Sequence, residues 1–181
     1  TLYHLGSVII ELLQVHVGMR VGKHGCKGRS SSYFWAVRSM KKILIIRFSS
    51  IGDIVLTTPV VRCLKQQTGA EVHYVTKKQF AFLLEHNPNV DAVHTIDDSV
   101  HEIADELKNV GFDEVIDLHN NIRSSVLKKK LSLPAKTVNK LNVRKWIYVN
   151  LKWNVMPDVH IVDRYLDTVK HLGVKNDAAG L

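Results

Sequence analysis

From residue 40 onward the sequence alternates short apolar runs with helix-forming stretches, and that alternation leaves few architectures open. Lys42-Ile-Leu-Ile-Ile-Arg47 is a continuous apolar run of β-branched character, the pattern of a strand covered on both faces. It ends at Phe48-Ser49-Ser50-Ile51-Gly52, read as a turn, and a helix is expected from Asp53 to about Gln67, stopped by Thr68-Gly69. A second strand spans Glu71 to Thr76, a helical segment Lys77 to His86, and a short third strand Val93 to Ile96. Ser99 caps a helix to Val110, with Glu102 placed for a capping box and Gly111 as the stop. Asp113 to Leu118 reads as a fourth strand, Asn121 to Lys130 as a helix, Ala135 to Asn139 as a weaker strand and His160 to His171 as a last helix. Strand and helix in turn imply βαβ crossovers: an α/β, Rossmann-like open parallel sheet with helices on both faces. Such sheets bind ligands beyond the carboxyl ends of their strands, which directs attention to the turns after the first and fourth.

Composition narrows the setting. Two cysteines, Cys26 and Cys63, make no disulfide framework and no zinc-ligand spacing. No apolar run approaches the roughly 20 residues that cross a bilayer. Residues 1–39 lack the strand-turn-helix rhythm and carry five Lys/Arg against one acidic residue, whereas Met40-Lys41-Lys42 opens as a natural start would; the leader is expected to be non-native or disordered. A basic tail lying on the surface is the other reading of that leader. Nine basic residues fall between Arg123 and Lys152, where no Asp or Glu occurs, a local field that attracts anions.

The turn after the first strand holds most of the chemical information. Gly52 permits a tight turn and close ligand approach, and the helix start beyond it offers unpaired N–H groups. Asp53 sits in this mouth. A first-turn aspartate also stabilises a helix by capping and dipole interaction, worth about 0.5–2 kcal/mol, so two readings of Asp53 stand side by side. Neither G-x-G-x-x-G nor G-K-[ST] occurs there, so the turn is built to present a carboxylate rather than to wrap a pyrophosphate.

Three segments, Ser49-Ser-Ile-Gly-Asp-Ile-Val-Leu-Thr-Thr-Pro59, Val115-Ile-Asp-Leu-His-Asn-Asn-Ile-Arg-Ser124 and His160-Ile-Val-Asp-Arg-Tyr165, together resemble glycosyltransferase family 9, the bacterial ADP-heptose:lipopolysaccharide heptosyltransferases. The first match is the most specific, and the resemblance runs from Met40 to about Val174. It implies the amino-terminal half of a two-domain GT-B enzyme: residues 40–174 an acceptor-binding domain, residues 175–181 a tail toward a nucleotide-sugar domain. Asp53 then occupies the position of the general base, deprotonating an acceptor hydroxyl that attacks the anomeric carbon opposite the nucleoside diphosphate, with inversion. Ser50, Gly52, Asn120 and Arg123 are expected to contact the acceptor. No metal and no resident cofactor is implied. The donor, ADP-heptose or a related nucleotide-sugar, is a substrate, and basic side chains and helix ends stabilise the leaving diphosphate. The acceptor is a lipopolysaccharide core or another anionic, lipid-linked glycan, reached in the cytoplasm or at the cytoplasmic face of the inner membrane, with no nucleic acid as partner. A single lobe of this kind is expected to be inactive alone.

Plainer readings accompany these. A helix start lowers a carboxylate's pKa and weakens it as a base, so the mechanism needs desolvation or late proton transfer. A carboxylate turned away from the gap between the lobes, or locked in an internal ion pair, would end the case for it. Asn120 can cap a helix, Arg123 can lie on a solvated face, and His119 reads first as a structural turn residue. Lys128-Lys-Lys130, Lys136, Lys140, Arg144 and Lys145, interleaved with Trp146, Tyr148 and Trp153, suit an acidic acceptor or merely a solvated surface. His160 and Arg164, four apart on one helical face, fit capping as well as acceptor contact. The alternative function is a non-catalytic Rossmann-like module binding a nucleotide or anionic glycan, with Asp53 only capping its helix.

Overall fold

In the computed structural model, which describes residues 40–97, 99–141, 149–153, 157 and 159–181, five parallel strands form one open sheet. β1 (Lys42–Ile46) lies at its centre. β2 (Glu71–Lys77) and β3 (Ala92–Ile96) extend it on one side, β4 (Glu114–Asp117) and β5 (Ala135–Thr137) on the other, giving the order β3-β2-β1-β4-β5. Ile45 of β1 registers with Tyr74 of β2 and Ile116 of β4. The chain steps outward from β1 to β3 and then returns to the opposite flank at β4. The winding therefore reverses between β1 and β4, and a crevice opens beyond their carboxyl ends.

β1 explains why the sheet is buried on both faces. Ile43 and Ile45 join one core with Ile54, Val60, Leu64, Tyr74 and Leu166. Leu44 and Ile46 join the other with Val75, Ile103, Leu107, Val115 and Leu127. The period of two in a strand sends alternate residues to opposite sides, so a continuous apolar run is what a doubly covered strand requires. Each such side chain stabilises by about 1.5–3 kcal/mol on burial, enough for four in succession to commit the segment. α2 (Thr58–Thr68) and α5 (Ile161–Leu166) contribute residues to the first core, and α3 (Val100–Val110) and α4 (Ile122–Leu131) to the second.

Several boundaries differ from those the sequence suggests. The helix expected from Asp53 to Gln67 is two: a short α1 (Ile51–Val55) and α2. Pro59, in the first turn of α2, has no N–H to continue the ladder, and two hydroxyls fill the break. Thr57 Oγ1 donates to the Ile54 carbonyl at 2.6 Å and Thr58 Oγ1 to that of Val55 at 2.8 Å. The segment after β2 is a 3-10 turn, Lys78–Leu83. The last helix ends at Leu166, where the Thr168 hydroxyl donates to the Tyr165 carbonyl at 2.6 Å, and a 3-10 turn follows at Lys170–Leu172. α3 starts at Ser99 and ends at Gly111 as expected, although the Ser99 hydroxyl accepts from the His101 N–H, not that of Glu102.

The leader 1–39 and the residues Arg144, Lys145, Trp146 and Tyr148 lie outside the described residues. Among the described residues no helix is long and apolar enough to cross a membrane.

Candidate functional site

Both turns singled out by the strand pattern meet at the β1/β4 crevice. The first runs from Arg47 through α1. Arg47 continues β1 beyond its last paired residue, and its backbone N–H still reaches the Val75 carbonyl at 3.1 Å. Its side chain is 9% exposed and divides its donors among three oxygens. Nε donates to the Ser49 carbonyl at 2.8 Å, Nη1 to the Leu118 carbonyl beyond β4 at 2.5 Å, and Nη2 to Asp53 Oδ2 at 2.5 Å. The guanidinium carbon lies 6.0 Å from the centroid of the Tyr165 ring on α5, at the outer limit of a cation–π contact.

Asp53, the expected general base, stands in the first turn of α1 with its side chain 39% exposed. Three donors converge on one of its oxygens. Besides Arg47, the Ser50 backbone N–H donates to Oδ2 at 3.3 Å and the Ser50 hydroxyl at 3.1 Å. Oδ1 accepts no hydrogen bond among the described residues. The two readings of this residue therefore divide between its two oxygens: Oδ2 caps the helix and closes an ion pair, and Oδ1 is left for another partner.

Asp53 does stand in the internal ion pair named as telling against a base; the pair engages Oδ2 and leaves the side chain 39% exposed. Burial pushes the Asp53 carboxyl up, but the hydrogen bond and charge of Arg47 and the two Ser50 donors outweigh it, and the group is held below the ordinary aspartate value. The helix start that the sequence offered belongs to a helix of only five residues. A buried arginine supplies the positive charge in its place. Asp53 is thus an ionised and intrinsically weak base.

The other residues of this turn sit at the rim. Ser50 and Gly52 are exposed. Gly52 lies within helical backbone, and a Cβ built on it meets nothing within 4 Å. No part of this turn requires glycine at that position, so the tight-turn rationale does not hold, and only the close-approach rationale survives.

The second turn is organised by Asp117, fully buried at the end of β4. Its Oδ1 accepts the backbone N–H groups of His119 at 3.0 Å and Asn120 at 2.7 Å; its Oδ2 accepts the Ser124 hydroxyl at 2.8 Å and Lys128 Nζ at 2.7 Å. Three hydrogen bonds and the Lys128 ion pair satisfy this carboxylate from within. Lys128 also donates to Thr137 Oγ1 at 2.7 Å, so the first lysine of the Lys128-Lys-Lys130 run is an internal partner of Asp117 and not part of a solvated field. Asn120 adopts a left-handed backbone (φ 48°) and spends its amide nitrogen on the Val138 carbonyl at 2.7 Å. Arg123 is exposed and makes no hydrogen bond or ion pair among the described residues, which leaves its guanidinium open. Asn120, Ile122 and Lys129 line a shallow depression of about 470 Å³, with Ile122 itself 84% exposed.

His119 borders both turns. Its ring lies 5.3 Å from that of Phe48, its Nδ1 is buried without a partner, and burial together with the charges of Arg47 and Lys140 lowers its pKa to about 4. It is a neutral imidazole at neutral pH. Further along, His160 caps α5, its Nδ1 accepting the Val162 N–H at 3.3 Å, and Arg164 donates to the Asn139 carbonyl. The capping reading of His160 is the one realised.

Arg47, Asp117 and Tyr165 escaped the residue-by-residue reading. The contacts of Arg47 and Asp53 with each other span six residues, and those of Arg47 with Leu118 span 71, beyond any local spacing rule. Asp117 did leave a signal: an Asp followed two and three residues later by polar turn residues is an Asx-turn pattern.

Comparison with known proteins points in one direction. No family model matches the chain. Lipopolysaccharide heptosyltransferase 1 of Campylobacter coli is 24% identical over 136 residues, covering 69% of this chain and 40% of that protein. Among solved structures, a glycosyl transferase family 9 protein from Veillonella parvula is 27% identical with a TM-score of 0.63, over 78% of this chain and 44% of that one. The E. coli heptosyltransferase WaaC, solved with ADP-2-deoxy-2-fluoro heptose, gives 21% identity and a TM-score of 0.59 over 76% and 50% of the two chains; at that identity the likeness is one of fold. The chain spans half or less of the length of each.

Proposed function

We propose, from a chain similar to the glycosyltransferase family 9 heptosyltransferases in both sequence and fold, that this is the acceptor-binding lobe of an inverting glycosyltransferase. The reaction is transfer of a heptose or related sugar from a nucleotide-sugar to a lipopolysaccharide-core or other anionic glycan acceptor. The observation that carries this reading is the Asp53 carboxylate at the β1/β4 crevice with one oxygen bound and the other open. In the proposed step the acceptor alcohol gives its proton to Asp53 as its oxygen bonds to the anomeric carbon, and the diphosphate departs from the opposite face with the bonding electron pair. Because Asp53 is a weak base, proton transfer trails formation of the new bond. Ser50, Gly52 and Arg123 are exposed, and in this reading they hold the acceptor. Asn120 has its amide oxygen and one amide N–H left to offer, its other N–H being donated to the Val138 carbonyl. The nucleotide-sugar belongs to a second lobe and enters as substrate, with no resident cofactor. The enzyme would work in the cytoplasm, at the membrane surface that carries its acceptor.

The test is Asp53→Asn in a protein that carries both lobes. Turnover should fall by about 10²–10⁴-fold, the usual weight of a general base, while thermal unfolding stays within a few degrees of wild type. Turnover within a few-fold of wild type in a folded variant would remove the base assignment, whereas a two-lobed wild type that binds its ligands without turnover would favour a module that binds without catalysis.

A further inference from the structure

Arg47 has no role in the reading above beyond lowering the basicity of Asp53, yet its placement is costly. A guanidinium 9% exposed at the end of the central strand must recover the solvation it has lost. It does so through two backbone carbonyls and one carboxylate drawn from three segments: the Ser49 carbonyl in its own turn, the Leu118 carbonyl beyond β4, and Asp53 on α1. Two of the three contacts are to backbone carbonyls just beyond β1 and β4. The third is therefore fixed in direction by the sheet. On the carboxylate the result is asymmetric, with Oδ2 taking Arg47 Nη2, the Ser50 N–H and the Ser50 hydroxyl, and Oδ1 taking nothing among the described residues.

We propose that Arg47 is the positioning residue of this site: it anchors Asp53 to the β1/β4 switch point so that Oδ1 alone is presented to the acceptor alcohol, and the proton of that alcohol is delivered to Oδ1. This rests on the reading of Asp53 as the base. The balance is complete without another reactant: the alcohol O–H bond breaks and its proton passes to Oδ1. The oxygen bonds to the anomeric carbon, and the bond to the diphosphate breaks with its electron pair leaving on the diphosphate. A planar fork with donors in three directions is what the geometry demands. A lysine could preserve the charge but not hold both carbonyls and the carboxylate at once. Orientation and weak basicity are thus two effects of one contact.

The experiment compares wild type, Arg47→Lys and Arg47→Met by NMR titration of the Asp53 carboxyl in this 181-residue chain, followed by pH–rate profiles in a protein carrying both lobes. Wild-type Asp53 should titrate below ordinary aspartates, the Met variant above wild type because burial is then opposed only by the two Ser50 donors, and the Lys variant in between. Turnover should fall by roughly 10- to 10³-fold in the Met variant with acceptor KM changed only a few-fold, as expected for misorientation. The acid limb of the rate profile should move in step with the NMR midpoint, and Lys should restore part of the rate. An unmoved Asp53 titration in a folded variant, or a rate lowered equally at every pH with the acid limb in place, would overturn the proposal. Should the Met variant fail to fold, the Lys variant decides by the same two readouts. If Asp53→Asn retains turnover while the titrations behave as expected, the base assignment has failed but the Arg47–Asp53 anchor has not.

Discussion

At the residue scale the site depends on side chains whose surroundings are unequal on two sides. Asp53 is the main case, and Gly52 is a second. An exposed glycine in helical backbone, with open space where a Cβ would stand, lowers helix stability without helping the turn. Gly52→Ala should therefore stabilise this lobe, by up to about 1 kcal/mol in urea unfolding, since alanine restricts the unfolded chain and favours the helix. If the glycine is kept for close approach, the same variant should weaken acceptor binding in a protein with both lobes; unchanged acceptor KM would refute that reason for it. The position of Gly52 in the mouth was legible in the sequence, because glycine after a strand and before Asp is a local pattern. The role of Arg47 was not. It read as the charged end of an apolar run, and only the meeting of β1, β4 and α1 turns it inward.

At the scale of elements, the sequence conveyed the order of strands and helices well because burial sets it. Val100 to Val110 could be bounded at both ends from Ser99 and Gly111, and β1 from its unbroken apolar character. The break between α1 and α2 was missed, although Thr57-Thr58-Pro59 carried it: a proline in the first turn marks a helix start. That break is held by Thr57, buried, whose hydroxyl donates to the Ile54 carbonyl at 2.6 Å and lies 2.8 Å from the buried Tyr74 hydroxyl. Thr57→Val, nearly isosteric, should cost about 1–3 kcal/mol because it leaves a buried phenol without its partner. The double variant with Tyr74→Phe should recover part of the loss. A single-variant cost below a few tenths of a kcal/mol would show that the break does not depend on this pair. β5, only Ala135–Thr137 and exposed along its length, was overextended in the sequence reading, because none of its own side chains enters a core that would mark its bounds.

For the molecule as a whole, two groups of the crevice make acid destabilising in sequence. His119 has a folded-state pKa lowered to about 4 by burial and by the charges of Arg47 and Lys140. Its unfolded value is near 6.5, so between pH 6.5 and about 4 the unfolded chain takes up a proton that the folded chain refuses, and stability falls as the pH falls. Asp53 is shifted downward as well. Its contribution is present above the ordinary aspartate range and is lost as the pH drops through the lower folded value. Both act in one direction, the first beginning well before the second. Urea unfolding at pH 7 and pH 5 should therefore differ by on the order of 1–2 kcal/mol, and His119→Gln should abolish most of that difference while Asp53→Asn leaves it. Equal slopes in wild type and His119→Gln would show that the imidazole is protonated without penalty. His119 read from sequence as a structural turn residue, and its unpartnered Nδ1 and contact with Phe48 could not be inferred from spacing.

Because β1 feeds alternate side chains into both cores and then passes directly into Arg47, tolerance to substitution should change abruptly along a few residues. Any loosening of Ile45 or Ile46 shifts the root from which the guanidinium extends, so such variants would lose precision at the carboxylate while still folding. By contrast, the exposed rim at Ile51, Gly52, Ile122 and Arg123 can be exchanged without repacking either core. Under the proposed function, a lineage built on this scaffold would be free to explore new acceptors along that rim while the strand beneath it stays frozen.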